Sequence, residues 1–298
     1  MAYFHVPEAL FGKCRVAFGT FDGVHSGHRA VIERLPGHAG QAPVVLSCEE
    51  KGAPVICSEQ EKALLLRELG VGRMISVPAE DVRNMKAEDF AREILHERLN
   101  AVSVVAGENL RFGSDEKGIM ELLAFGEKYG FSVDTVPVVC VDGEPVSADA
   151  VRRAVQDGDY AKMERLLLHP HLMIGRIVHG KGEGHRHGMP TANLAPAANK
   201  LLPPYGVYAT VTRLDGALYL GVTNIGLRPS ADASPVPTVE TFLMDYSGDI
   251  YDKEVLLELH AYIRGIIKFP DGLEAVRRQI DMDVKTARDF FERLQRTR

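Results

Sequence analysis

Tryptophan is absent from the 298 residues and cysteine is scarce. Cys14, Cys48, Cys57 and Cys140 have neither Cys-x-x-Cys spacing nor the density of a disulfide framework, so a zinc site is not expected and reduced thiols in a cytoplasm are the simplest account. Long apolar runs are missing too. No stretch approaches the roughly 18 residues that a membrane helix requires, and Met1 to Lys13 lack the basic region and apolar run of a secretory signal. Nor is there a positive excess: 35 Lys+Arg stand against 41 Asp+Glu, a formal charge of −6. That balance argues against broad nucleic-acid binding, so an anionic ligand must be held by local groups. Internal repeats and low-complexity tracts are also lacking. With 45% apolar residues the chain is long enough for two domains, each with its own core.

The most informative stretch present is Gly19-Thr20-Phe21-Asp22-Gly23-Val24-His25-Ser26-Gly27-His28. Cys14 to Phe18 read as a short buried strand and Arg29 to Leu35 carry apolar residues at helical spacing, which places His25 and His28 on one face of a first helical turn. Gly23 and Gly27 leave room for close backbone approach. The free amides and positive dipole end of a helix N-terminus favour an anion, and two imidazoles there can stabilise charge developing at an attacked phosphorus.

The rest of the first half alternates strands and helices. Ser58 to Glu61 read as a capping box for a helix 62–69; further helices are expected over 87–99, with Phe90, Ile94 and Leu95 as its stripe, and over 117–129. Strands are expected at 102–106 and 131–136, giving the α/β rhythm of a doubly wound sheet. Two helical stretches flank Asp157-Gly158-Asp159, and the character changes at His169-Pro170-His171, which sets domains of 1–168 and 169–298. The second reads as a small β-barrel. In it 206–212 should pair with 218–223 across Asp215-Gly216, and 238–246 with 252–263 across Ser247-Gly248-Asp249. A final helix 272–296 carries the stripe Leu273, Val276, Ile280, Val284 and Ala287.

The barrel half also contains Gly175-Arg176-Ile177-Val178-His179-Gly180-Lys181-Gly182-Glu183-Gly184 and Gly188-Met189-Pro190-Thr191-Ala192-Asn193. Glycine-rich turns let amides converge on phosphate, and a Thr hydroxyl and an Asn carbonyl suit magnesium. Glu240 alternates with Val239 and Thr241 and shares a strand face with Phe242, where it can point into a pocket. His169, His171, His179, His185 and His187 crowd this half, but their spacing fits no standard metal-ligand pattern.

These motifs carry a resemblance along nearly the whole chain. The histidine segment resembles the signature of the nucleotidyltransferase branch of the HIGH superfamily, and FDGVHSGH in particular resembles the FMN adenylyltransferase domain of bacterial bifunctional riboflavin kinase/FAD synthetases. MPTAN, Tyr205-Gly206-Val207-Tyr208, Gly221 to Pro229 and Val239-Glu240 match that family's riboflavin kinase domain in order. The resemblance implies a Rossmann-like domain followed by a β-barrel with a C-terminal helix, making FMN from riboflavin and then FAD with ATP and Mg2+.

It further implies His25, His28 and Glu240 as catalytic groups, Glu240 being the base for the ribityl 5′-hydroxyl. Nucleotide or phosphate contacts fall on Gly19, Phe21, Asp22, Gly23, Gly27, Arg111, Lys117, Ser147, Arg152, Gly180, Lys181 and Gly182. Flavin contacts fall on Asn109, Arg228 and Arg264, and magnesium on Thr191 and Asn193. The implied partners are small molecules, without nucleic acid, membrane or an obligate protein.

Departures concentrate in the first half. Ser47-Cys48-Glu49-Glu50 stands where the family has an aromatic-acidic-Pro-His-Pro run, Asn109-Leu110 replaces Asp-Phe in GxDFRFG, and Ser147-Ala148-Asp149 replaces Ser-Ser-Thr. Asp149 either caps its helix or faces phosphate. Two other readings stay open: a kinase alone with a degenerate first domain, and a non-enzymic flavin or nucleotide sensor. A tRNA-charging enzyme shares HxGH ancestry, but no basic tRNA-binding module is visible.

Overall fold

The computed structural model describes residues 12–50, 52–178, 191–228, 236–267 and 273–296. The chain divides into two compact units, Met1–Val151 with Arg165–Leu168, and Arg152–Glu164 with His169–Arg298.

The first unit runs β1 (Cys14–Gly19), α1 (Ser26–Ile32), β2 (Ala42–Glu49), α2 (Glu59–Glu68), β3 (Arg73–Pro78), α3 (Ala79–Arg83), α4 (Ala87–Asp89), β4 (Ala101–Gly107), α5 (Ile119–Tyr129) and β5 (Ser132–Val136). A small hairpin, β6 (Cys140–Val141) with β7 (Glu144–Pro145), precedes α6 (Ala148–Asp157) and α7 (Tyr160–Leu167). Five parallel strands form a sheet in the order β3-β2-β1-β4-β5. Val16 and Val44 on one face and Ala17 and Val45 on the other are all fully buried, as strands covered on both faces require. The chain winds outward from β1 to β3 and resumes on the other side at β4, so the carboxyl ends of β1 and β4 flank the crevice where such sheets take ligands. The histidine turn leaves β1 at that point.

Most sequence expectations for this unit hold, with small shifts. Ser58 and Glu61 form the capping box, Glu61 N–H to Ser58 Oγ at 3.3 Å and Ser58 N–H to Glu61 Oε2 at 2.8 Å. α1 stops at Ile32 rather than Leu35, because Pro36 disfavours helical backbone at the residue before it. α4 continues into a π-helical segment, Phe90–Arg98, which still buries Phe90, Ile94 and Leu95. α5 starts at Ile119 instead of Lys117, since Lys117 exchanges backbone hydrogen bonds with Phe112 at 2.9 and 3.0 Å.

In the second unit β8 (His171–Val178), β9 (Thr191–Ala195), β10 (Gly206–Leu214), β11 (Ala217–Arg228), β12 (Val236–Leu243) and β13 (Glu254–Arg264) close a barrel in the ring order β10-β11-β12-β9-β8-β13. The hairpin across Asp215-Gly216 forms as expected, with Leu214 opposite Ala217. The second expected hairpin does not form. β12 pairs with β11 and β9, and β13 pairs with β10 and β8, so 244–253 is a crossing connection. Turn residues dictate a local reversal, whereas closure of the ring decides which strand becomes the neighbour.

Met173, Tyr208, Ile225 and Leu257 fill the interior, together with a hydroxyl chain from Thr210 to Thr223 to Thr241, 2.9 Å at each step. The C-terminal helix α8 (Leu273–Arg296) packs on the outer face through Ala287 and Phe291 against Val207, Ala209 and Val222. Burial of a side chain like Phe291 contributes about 2–3 kcal/mol.

Candidate active sites

In the first unit a cavity of about 610 Å³ opens at the carboxyl ends of the strands. Phe18 and Gly19 reach it from β1, Cys48 from β2, Val105 to Gly107 from β4 and Val136 from β5. His25 and His28 stand at its wall. His25 precedes α1 and caps it, its Nδ1 accepting the His28 backbone N–H at 3.2 Å. That bond leaves the ring proton of neutral His25 on Nε2. The two rings stack with centroids 3.6 Å apart and planes 16° from parallel, and Phe21 meets His28 edge-on at 5.1 Å.

Burial pushes His25 down to about 4, against the opposing pull of Asp22. Burial, then His25, then Lys62 hold His28 well below the ordinary imidazole value. Both rings are therefore neutral donors near pH 7. Gly27 packs closely here: a Cβ would lie 3.2 Å from the His25 ring, so the ring would have to give way by a few tenths of an ångström. Gly23 has φ 81° and faces Ile56, whose Cγ2 would be 3.0 Å from a Cβ.

Of the sequence candidates, Gly19, Phe21, His25, Gly27, His28, Asn109, Arg111 and Ser147 all line this one cavity. Asp22 instead supports the turn from behind, its buried Oδ1 accepting the Ile56 and Cys57 amides at 2.9 and 3.0 Å. Lys117 lies in the bridge with Phe112, and Arg152 opens the 152–164 segment of the second unit. Asp149 is not the cap of α6. Ser147 is, its Oγ accepting the Ala150 amide at 3.2 Å, because the helix begins at Ala148, two residues earlier than that reading requires.

Three features escaped the sequence reading. Glu50 and Arg83 pair at 2.6 Å on the cavity wall where the family has its Pro-His-Pro run. The Cys48 thiol, which also lines the cavity, is pushed up to about 11 chiefly by burial. Lys62, only 4% exposed, donates to the Thr20 carbonyl and the Ser47 hydroxyl.

In the second unit a cavity of about 260 Å³ lies between the outer barrel face and α8. Strand register builds it. Asn193 on β9, Glu240 on β12, Asn224 on β11, Val207 on β10 and Arg264 on β13 are successive cross-strand partners in one row, and partners in antiparallel strands share a face. Of these five all but Asn193 line the cavity. The next row holds Thr191, Phe242 and Val222. Val239 and Thr241 point into the barrel, 1% and 3% exposed, so Glu240 and Phe242 face the cavity as alternation predicts. Ile266, Ile267, Val276 and Ile280 supply an apolar wall, and Asn224 and Asp283 are polar groups that the sequence reading had not singled out.

Gly180, Lys181 and Gly182 lie outside the described residues, as does the side chain of Arg228 at the end of β11. His179, His185 and His187 also lie outside. His171 is buried, bonded to the Leu201 carbonyl at 3.1 Å and held well below its ordinary value by burial. Among the described residues no cluster of three His, Cys, Asp or Glu can hold a metal, and no helix is long and apolar enough to cross a membrane.

A switch-point cavity with paired histidines, followed by a barrel groove carrying a carboxylate beside Thr and Asn, defines a two-site nucleotidyl- and phosphoryl-transferring class of protein. Comparison with known proteins narrows the class. The FAD synthetase family model matches residues 8–150 and the riboflavin kinase model residues 167–291. A bifunctional riboflavin kinase/FMN adenylyltransferase of Pseudomonas fluorescens is 32% identical over 289 residues, covering 92% of each chain. That of Escherichia coli (strain K12) is 33% identical over 302 residues, covering 96% of each. A crystal structure described as a macrolide-efflux protein from Streptococcus pneumoniae superposes with a TM-score of 0.81 at 25% identity, covering 95% of this chain and 96% of that one.

The chain belongs to the bifunctional riboflavin kinase/FMN adenylyltransferase family. It is an enzyme with both activities, acting on flavins and ATP. The kinase-only and sensor readings are not favoured.

Proposed function

We propose that adenylyl transfer occurs in the switch-point cavity and phosphoryl transfer in the barrel groove, with 1–168 and 169–298 as the respective domains. The observation that carries this reading is the stacked, neutral His25–His28 pair at the carboxyl end of β1. An FMN phosphate oxygen attacks the α-phosphorus of ATP and pyrophosphate leaves. His25 and His28 donate from their rings to the phosphate oxygens as charge builds, the kind of preorganised stabilisation that dominates such reactions. Gly19, Phe21 and Gly27 shape the approach, Arg111 and Ser147 contact phosphate, and Asn109 contacts the flavin; Arg152 or Lys117 neutralises the triphosphate.

In the barrel groove the ribityl 5′-hydroxyl attacks the γ-phosphorus and ADP leaves. Glu240 takes the hydroxyl proton, and its place between Asn193 and Asn224 in the register supports that role. Arg264 and Arg228 border the flavin. Thr191 and Asn193, two residues apart and so on the same strand face, offer hard oxygen donors that fit magnesium. The bound ion supplies charge neutralisation on the transferring phosphate. The four free cysteines are consistent with work in the reducing cytosol, and the reaction needs no protein partner.

Incubation with riboflavin, ATP and magnesium, with flavins resolved by chromatography, tests the reading. FMN should appear first with ADP, then FAD with pyrophosphate, and with FMN supplied separately for the second step each reaction should respond to substitutions in its own cavity only. Loss of both riboflavin phosphorylation and FAD formation from supplied FMN after a change in one cavity would contradict the separation of sites.

A further inference from the structure

Lys62 sits on the core-facing stripe of α2, where Glu61, Leu65 and Leu66 are also buried. An ammonium in such a place is costly unless it is paired and hydrogen-bonded. Its Nζ donates to the Thr20 carbonyl at 3.1 Å and the Ser47 hydroxyl at 2.9 Å, and pairs with the Glu59 carboxylate. Thr20 belongs to the turn between β1 and His25, Ser47 to β2 and Glu59 to the start of α2. One buried cation therefore ties three elements together at the wall of the first cavity.

The turn it holds is strained. Phe21 has φ 47° and Val24 φ 42°, a left-handed backbone that a β-branched residue adopts only when its surroundings compel it. The same segment supplies the companion restraint, since the Ile56 and Cys57 amides clamp Asp22. Released at Thr20, the turn can relax toward ordinary backbone and carry His25 and His28 away from the cavity wall.

We propose that Lys62 is a positioning residue for adenylyl transfer, its ammonium holding the strained turn, through Thr20 and Ser47, in the conformation that aims His25 and His28 at the triphosphate. This rests on the assignment of the first cavity to adenylyl transfer. The charge has a second effect. Glu59 on α2 pairs with it, and its charge reaches His28 at the start of α1 and Cys48 on β2; His25, which Asp22 faces, acts on the same His28, and Glu50 on the same Cys48. Lys62 opposes protonation of His28, adding to burial and to His25.

The test compares wild type with Lys62→Met and Lys62→Arg in the full chain. FAD formation from supplied FMN and riboflavin phosphorylation are measured on the same samples, and the ring signals of 13C-labelled histidine are titrated. Lys62→Met should lower the turnover of FAD formation about 10²-fold, the scale of a misplaced catalytic group, and leave riboflavin phosphorylation unchanged. The His28 signal should titrate at higher pH than in wild type, and Lys62→Arg should restore both readouts in part. Wild-type FAD turnover in Lys62→Met overturns the proposal. So does a lower rate with an unmoved His28 titration and no recovery in Lys62→Arg, because that pattern marks general damage. If Lys62→Met does not fold, Lys62→Gln, which keeps a donor for Thr20 and loses the charge, is judged by the His28 titration: an upward move supports the proposal and an unmoved signal refutes it. His28→Ala run in parallel separates two failures: if it spares FAD formation, the cavity assignment falls; if it abolishes FAD formation while Lys62→Met is harmless, Lys62 alone is wrongly placed.

Discussion

Arg264 forks onto Asp283, Nε to Oδ1 at 2.9 Å and Nη2 to Oδ2 at 2.6 Å, joining β13 to α8 beside the barrel cavity. Asp283 is 2% exposed and also accepts from Gln279 at 2.9 Å, while Nη1 of Arg264 turns to the Gly265 carbonyl at 3.0 Å. A flavin meeting Arg264 thus meets a guanidinium already held in place.

Removing one partner of a buried ion pair costs about 3–5 kcal/mol, because the other charge is left uncompensated. Asp283→Ala should therefore lower the unfolding temperature and loosen the Val276–Ile280 wall of the cavity. The KM for riboflavin should rise, whereas FAD formation from supplied FMN should stay as in wild type. Thermal scans with separate assays of the two reactions check this, and an unchanged riboflavin KM would show that the pair serves stability alone.

Glu240→Gln preserves shape and removes the proton acceptor. General-base catalysis is worth on the order of 10²–10⁴-fold, so FMN formation should fall by that scale with little change in melting temperature. Near-normal phosphorylation by this variant would assign the proton to another group.

Acid should weaken the first unit through its histidines. Unfolded imidazoles titrate near 6.5, whereas folded His25 is lowered to about 4 by burial. The unfolded chain thus binds the extra proton between those values. Stability is full above about 6.5, falls as pH drops through the window and levels off below about 4, with a loss of about 3 kcal/mol from His25. Denaturant titrations at pH 7 and pH 4.5 measure it, and His25→Gln should flatten the dependence. An equal slope in that variant would place the effect elsewhere.

The strand and helix rhythm and both chemical motifs were legible in the sequence because period and spacing are local properties. Partner choice is not local, which is why Ser247-Gly248-Asp249 read as a hairpin between strands that the closed ring keeps apart. Lys62 and Asp283 were missed for a common reason: each is a charged residue on the buried stripe of a helix, and charge reads as surface until its partners are known. The spacing Val276, Ile280, Asp283, Ala287 was the available signal, a carboxylate where the stripe calls for an apolar side chain.

The altered Ser147-Ala148-Asp149 segment bears on the balance between the two reactions. Ser147 and Ala148 line the first cavity; the Ser147 Oγ accepts the Ala150 amide and keeps its own O–H to donate, whereas the Ala148 methyl donates nothing. Asp149 follows in the first turn of the helix. A carboxylate about 4 Å from a phosphate charge is opposed by roughly 4 kcal/mol at an effective dielectric near 20, enough to slow nucleotide use where no cation screens it. Because Ser147 rather than Asp149 caps the helix, replacing Asp149 leaves that cap in place, and its interaction with the helix dipole is worth about 0.3–1 kcal/mol. FAD synthesis should therefore be slow relative to FMN synthesis in wild type, and Ala148→Ser with Asp149→Thr should raise its kcat/KM for ATP without unfolding the protein. Rates of the two steps on one preparation decide the matter: a wild type that makes FAD as readily as FMN, with no gain in the double variant, would show that Asp149 leaves the phosphates alone.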